Sequence, residues 1–110
     1  MSAKHIQAYI DGQWVDGSAG TAKYSAAFDN SPLGTFSVCG GGDVAQAVDA
    51  AQKAQRDWAA VPLLDKVDLM YRAYELCADA NEEIAQAISA EMGKTIRESR
   101  EEMIQYGWGH

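Results

Sequence analysis

The 110-residue sequence predicts a chain of mixed α and β structure in which short strands come first and about four helices follow. Three observations carry that reading. An Asp11-Gly12 pair lies between apolar residues, the apolar period changes from two to about 3.6 after Gly40-Gly41-Gly42, and helix start and stop signals recur from there onward.

Tyr9, Ile10, Trp14 and Val15 flank Asp11-Gly12, and an Asp-Gly pair between apolar residues favours a tight hairpin because both residues tolerate positive φ. Strands are expected near 7–10 and 13–16. Gly17-Ser18-Ala19-Gly20 is a loop. Two weaker strands are expected near 23–28 and 35–38, separated by an Asn30-Ser31-Pro32-Leu33-Gly34 turn.

Val44, Ala47, Val48, Ala51, Ala54 and Trp58 then fall on one helical stripe while Asp49, Lys53 and Arg56 lie elsewhere, which predicts an amphipathic helix over 43–58. Asp43 is the expected N-cap, with Gln46 completing a capping-box pattern. Pro62 opens a second helix, where its missing N–H costs nothing, with Val67, Met70, Tyr71, Tyr74 and Cys77 on the apolar side and an end near Asp79. Asn81 is expected to cap a third helix bearing Ile84, Ala87, Ile88 and Met92, stopped by Gly93. Thr95-Ile96-Arg97-Glu98 gives another capping box, and a fourth helix runs through Met103 and Ile104 toward the glycines and aromatics of Tyr106-Gly107-Trp108-Gly109-His110.

Sixteen acidic against nine basic side chains give a net charge of −7, which repels phosphate backbones and anionic membrane faces. Nucleic acid and membrane are excluded as expected partners. The amino terminus lacks a signal-peptide core, and no segment approaches the roughly 18 apolar residues of a membrane span, so a cytoplasmic location is expected. Cys39 and Cys77 have neither CxxC spacing nor a nearby histidine cluster; both are expected to be buried or half-buried thiols.

Several short motifs have simpler structural readings. Gly93-Lys94-Thr95 imitates the end of a phosphate-binding loop, but that motif demands a glycine where this chain has Ile88, and a helix C-cap followed by an N-cap accounts for it. Gly40-Gly41-Gly42 could cradle an anion at a helix start, yet Asp43 places a carboxylate there. No Gly-x-Gly-x-x-Gly occurs. His5 and His110 show no serine or carboxylate pattern around them and are expected in solvent, and the arginines and glutamates of 97–102 read as a salt-bridged outer face.

Taken alone, strands followed by helices suggest an α+β domain. The strands are few and short, and a sheet built only from them is marginal. Alanine-rich stripes favour close packing but bury little area per residue, so their natural partner is a sheet outside this chain.

The run Glu91 to Glu98 (EMGKTIRE), preceded in order by Tyr9 to Val15 (YIDGQWV), the Asn30-x-Pro32-x-Gly34 turn and DVAQAVDAAQKA from Asp43, resembles the amino-terminal quarter or so of the aldehyde dehydrogenase superfamily over roughly residues 8–106. The resemblance implies an α/β fold class: residues 1–110 as a single partial domain, 7–38 strands and turns and 43–106 helices, forming the start of a Rossmann-like cofactor domain whose main strands come later. It implies an NAD- or NADP-dependent oxidation of an aldehyde to a carboxylic acid. The nucleophilic cysteine, the glutamate base, the oxyanion-holding asparagine and the cofactor-gripping loops find no match here. Neither Cys39 nor Cys77 takes the catalytic role, and the chain alone is expected to be inactive and to bind no cofactor tightly.

Some members of that family hold a structural monovalent cation between two backbone carbonyls and an acidic side chain. The matching positions are Phe28, Asp29 and Glu91, although the family's Asn-Pro is here Asn30-Ser31, with proline displaced to Pro32. The partners implied are the remainder of the dehydrogenase chain or a complementary subunit, with a homo-oligomer when complete. The alternatives are a small α+β interaction protein that binds through uncovered apolar faces, and one subunit of a split dehydrogenase.

Overall fold

A computed structural model describes residues 4–102, which divide into two compact units. Of the described residues, the first comprises 4–25 and 31–61, the second 26–30 and 62–102.

The first unit holds β1 (Lys4–Ile6), β2 (Ala8–Ile10), β3 (Gln13–Val15), β4 (Thr21–Ser25), β5 (Pro32–Ser37) and α1 (Gly41–Ala60). β2 and β3 pair antiparallel through the predicted Asp11-Gly12 turn, where φ is +53° and +75°. Positive φ at both central residues matches the strands' own twist, which is why this dipeptide is favoured. Tyr9 and Trp14 face each other in register, ring centroids 4.9 Å apart.

The second sheet has the order β1-β5-β4, with β5 central, parallel to β1 and antiparallel to β4. β1 escapes the sequence reading because Lys4-His5-Ile6 offers neither alternation nor an apolar run. Gly34 lies buried in β5, opposite Lys4 on one side and Tyr24 on the other. A Cβ at this position would stand 2.7 Å from the Tyr24 hydroxyl and would also strike the Lys4 carbonyl. Glycine is required here by close approach rather than by backbone torsion.

The predicted turn over 30–34 is displaced. Pro32, Leu33 and Gly34 belong to β5, and the reversal falls at 26–30, where Asn30 N–H donates to the Ala26 carbonyl at 3.0 Å and Asn30 adopts φ +56°. Proline is tolerated as the first residue of a strand, and asparagine takes the left-handed conformation more readily than most residues.

α1 begins at Gly41, with Gly40 as N-cap, two residues before the predicted start. Asp43 is therefore inside the first turn, and Gln46 lies beyond any capping role. The Asp43 carboxylate reaches back to accept from Gly40 N–H at 2.8 Å, the return half of a capping box whose forward half glycine cannot supply. No residue of α1 is buried, and Val44, Val48 and Trp58 of its apolar stripe remain exposed.

The second unit contains α2 (Leu63–Asp79), α3 (Asn81–Met92) and α4 (Ile96–Glu102). Pro62 caps α2, its carbonyl accepting from Lys66 N–H. Asn81 is not the cap of α3. Ala80 occupies that position in near-helical geometry, and the buried Asn81 Oδ1 has no hydrogen-bond partner. The chain scarcely leaves the helical path between α2 and α3, so no residue takes the extended conformation that side-chain capping needs.

Gly93 ends α3 as expected, at φ +76° with its N–H on the Ser89 carbonyl. α3 and α4 meet along a seam of small residues, in which Ala85 and Ser99 are fully buried and Ser89 and Ser99 hydroxyls lie 2.9 Å apart. The expected continuation of α4 through Met103 and Ile104, and His110, lie outside the described residues. No described helix is long and apolar enough to cross a membrane.

Candidate functional site

Segment 26–30 carries two of the expected cation ligands, Phe28 and Asp29, and the last turn of α3 carries the third, Glu91. Ala27 N–H donates to the Ala90 carbonyl at 2.9 Å, laying this segment against the last turn of α3. Phe28 and Glu91 are thus each one residue from a bonded pair. Phe28 is 98% exposed, Glu91 is exposed as well, and both lie in the same unit. Backbone carbonyls and a carboxylate are hard oxygen donors of the type an alkali cation takes. Among the described residues no group of three or more histidine, cysteine, aspartate and glutamate side chains could hold a metal ion.

A second cluster was not legible in the sequence. His5 is exposed, as expected, but it has polar neighbours that no sequence pattern announced: its Nε2 lies 3.0 Å from Asp16 Oδ1 and its Nδ1 2.7 Å from Thr35 Oγ1. The same Asp16 oxygen accepts from Ser37 Oγ at 3.0 Å and from Gln7 Nε2 at 3.1 Å. His5, Gln7 and Ser37 all hold the Asp16 carboxyl below the usual carboxylate range, His5 most strongly. The missing signal was β1: once Lys4–Ile6 pairs with β5, register sets His5 beside Thr35.

Serine, histidine and aspartate together suggest a nucleophilic triad, but the wiring is wrong. Asp16 is an acceptor, so the histidine nitrogen facing it carries the proton and cannot also take one from Ser37.

Asp43 forms a third polar node, accepting from Ser18 N–H at 2.9 Å and Ser18 Oγ at 2.6 Å as well as from Gly40. These bonds, Ser18 first, hold its carboxyl below the ordinary range. The start of α1 therefore presents a carboxylate at the place a phosphate would occupy.

The charged face of α4 is partly as expected. Arg97 pairs with Glu101 at 3.1 Å, Lys94 with Glu102, and the Thr95–Glu98 capping box is formed. Arg100 instead crosses to α3, its Nε and Nη2 donating to the two oxygens of Glu82 at 2.8 and 2.7 Å. Cys39 is exposed in the link after β5, contrary to the expectation of burial, and Cys77 is half-buried in α2.

The model of the Aldehyde dehydrogenase family matches residues 14–107. The chain belongs to the aldehyde dehydrogenase family. A D-glyceraldehyde dehydrogenase (NADP(+)) from Thermoplasma acidophilum is 36% identical over 97 residues, covering 86% of this chain and 20% of the relative. A vanillin dehydrogenase from Corynebacterium glutamicum is 35% identical over 95 residues, 86% of this chain and 19% of the relative.

Among solved structures, an NAD-dependent aldehyde dehydrogenase from Sinorhizobium meliloti superposes with a TM-score of 0.85 at 28% identity, covering 92% of this chain and 21% of that one. PnpE, solved in complex with nicotinamide adenine dinucleotide, gives 0.81 at 33% identity, covering 86% and 20%. This aldehyde dehydrogenase chain thus spans about a fifth of the relatives it matches. Its strands and helices reproduce the α/β architecture of that fifth.

Proposed function

We propose that the chain is the amino-terminal scaffold of the cofactor domain in a cytoplasmic NAD- or NADP-dependent enzyme that oxidises an aldehyde to a carboxylic acid, with hydride passing to the cofactor and water supplying the second oxygen. By itself it is inactive. The observation that carries this reading is the close match to one-fifth of the relatives' structures by a chain whose two cysteines stand in scaffold positions, one after β5 and one within α2. No described residue is assigned to grip NAD or NADP, and the Asp43 carboxylate at the entry to α1 opposes a phosphate there.

The remaining four-fifths of the family fold, carried on the same polypeptide or on a complementary subunit, covers the apolar faces of α1 and α2. Val44, Val48, Leu63, Met70 and Tyr71 are exposed, and few side chains among the described residues are buried. Faces of that extent mark an interface. The complete enzyme is proposed to be a homo-oligomer. The same reading gives Phe28, Asp29 and Glu91 the task of holding a structural monovalent cation, supported by the Ala27 to Ala90 hydrogen bond that brings their two segments together.

The test is direct. Purified 110-residue chain is mixed with an aldehyde panel and either NAD or NADP while the reduced nicotinamide is followed by absorbance. No turnover is expected; steady cofactor reduction that survives repurification overturns the proposal. Elution as a compact monomer that binds no apolar dye overturns the assignment of α1 and α2 as covered faces.

A further inference from the structure

β1 is an edge strand with little to hold it. It has three residues, all exposed, and pairs with β5 alone in the parallel arrangement, which is the weaker of the two per residue. An element with so few apolar contacts belongs to the low end of local stability. Its side chains make up the difference. His5 of β1, Gln7 just after it and Ser37 of β5 converge on the single Oδ1 of Asp16, which follows β3, and Thr35 of β5 engages the other nitrogen of His5.

The proton arithmetic of this cluster is one-sided. With Asp16 ionised, neutral His5 donates from Nε2 and accepts from the Thr35 hydroxyl at Nδ1; protonated His5 donates from both nitrogens, and Thr35 accepts. Either charge state of the histidine satisfies the network. A protonated Asp16 serves it poorly, because three donors then converge on a neutral oxygen, which is a much weaker acceptor than a carboxylate.

The other charged groups nearby do not take its place. Lys23 lies opposite Thr35 in register, on the same face of the sheet but across β5 from His5. Lys4 alternates to the opposite face. Asp43 is bonded to Ser18 and Gly40.

We propose that Asp16 is a charge-gated latch: its carboxylate fastens β1 onto β5, and neutralising it frees β1 while the rest of the first unit stays folded. The Asp16 carboxyl is held below 3.8 by its donors, so the latch is fully closed above that value and opens as pH falls through the lower folded-state value. This inference stands on the geometry of the first unit and does not depend on the enzymatic reading.

Hydrogen exchange of the full chain at neutral pH, resolved by peptide, tests it. Asp16→Asn is expected to raise exchange across β1 by roughly tenfold, the scale of one charge-assisted hydrogen bond, with α1 and the β4–β5 ladder unchanged. Ser37→Ala, which removes one donor and keeps the charge, is expected to give a smaller rise in the same peptide. In wild type, exchange of β1 corrected for intrinsic chemistry rises as pH drops below the ordinary carboxylate range, whereas Asp16→Asn stays flat. Unchanged β1 exchange in Asp16→Asn, a rise spread over the whole unit, or a flat wild-type profile would each overturn the proposal.

Discussion

Arg100 grips Glu82 with two parallel hydrogen bonds, joining α4 to the first turn of α3 across 18 residues of sequence. Gln86 adds a third donor one helical turn along, and the Glu82 carboxyl falls to about 2 through the Arg100 bonds first and Gln86 second. A depressed carboxylate contributes stability that is complete above its unfolded value near 4.5 and is lost as pH falls toward 2. Glu82→Gln is therefore expected to be less stable than wild type at neutral pH, with the gap closing as acid titrates wild-type Glu82. Urea unfolding of both proteins across this range checks it; a pH-independent gap contradicts the pairing. Arg100→Lys is expected to recover only part, because an ammonium cannot present two parallel donors.

Gly34→Ala is expected to be among the most damaging single-methyl changes in the first unit. Its Cβ has no space between the Lys4 carbonyl and the Tyr24 ring, and overpacking of this type costs about 1–3 kcal/mol. Tyr24→Ala in the same background opens one side and should restore part of the loss in a denaturant titration. Strict additivity of the two changes argues against the clash.

Gly12 and Gly93 share nearly the same backbone, φ +75° and +76°, in different surroundings. An alanine at either meets the left-handed penalty of about 1–2 kcal/mol. At Gly12 the space is open, whereas at Gly93 the new Cβ lies 3.3 Å from the Ala27 Cβ. Gly93→Ala is expected to be the more destabilising of the two by chemical denaturation. It should also speed amide exchange at Ala27, whose partner Ala90 precedes this cap.

Thr95 and Glu98 exchange bonds at the start of α4: Glu98 N–H donates to Thr95 Oγ1 at 3.3 Å, and Thr95 N–H donates to Glu98 at 3.2 Å. Thr95→Ala is expected to cost about 1 kcal/mol, the ordinary value of an N-cap. Thr95→Ser should retain most of it. Equal losses for the two variants in thermal unfolding would remove the cap from the account.

Helices were the most legible part because their signals are local. Gly93, Thr95 and Glu98 act within a single turn, and the end of α3 and the start of α4 fall where those residues place them. Asp11-Gly12 is legible for the same reason. What failed was non-local. Asp43 binds Ser18, 25 residues away, and that pull admits two more glycines to α1 than its cap pattern predicts. The His5 cluster depends on a parallel strand pair that no periodicity announces, and Arg100 chose a partner on α3 over its own helix. Glu91 and Phe28 were named through family resemblance; the hydrogen bond between their neighbours is a feature that composition and spacing do not carry.

The Ala27 to Ala90 hydrogen bond has a consequence for the order of assembly during synthesis. Residues 26–30 are bracketed in sequence by β4 and β5, yet they belong with helices that leave the ribosome later. The β4–β5 ladder can close while α3 is still being made, so segment 26–30 emerges as a tethered loop awaiting its partner. Closing such a long loop has a cost that grows only slowly with length. Nascent chains halted before Ala90 should therefore carry a finished hairpin with an unanchored tip.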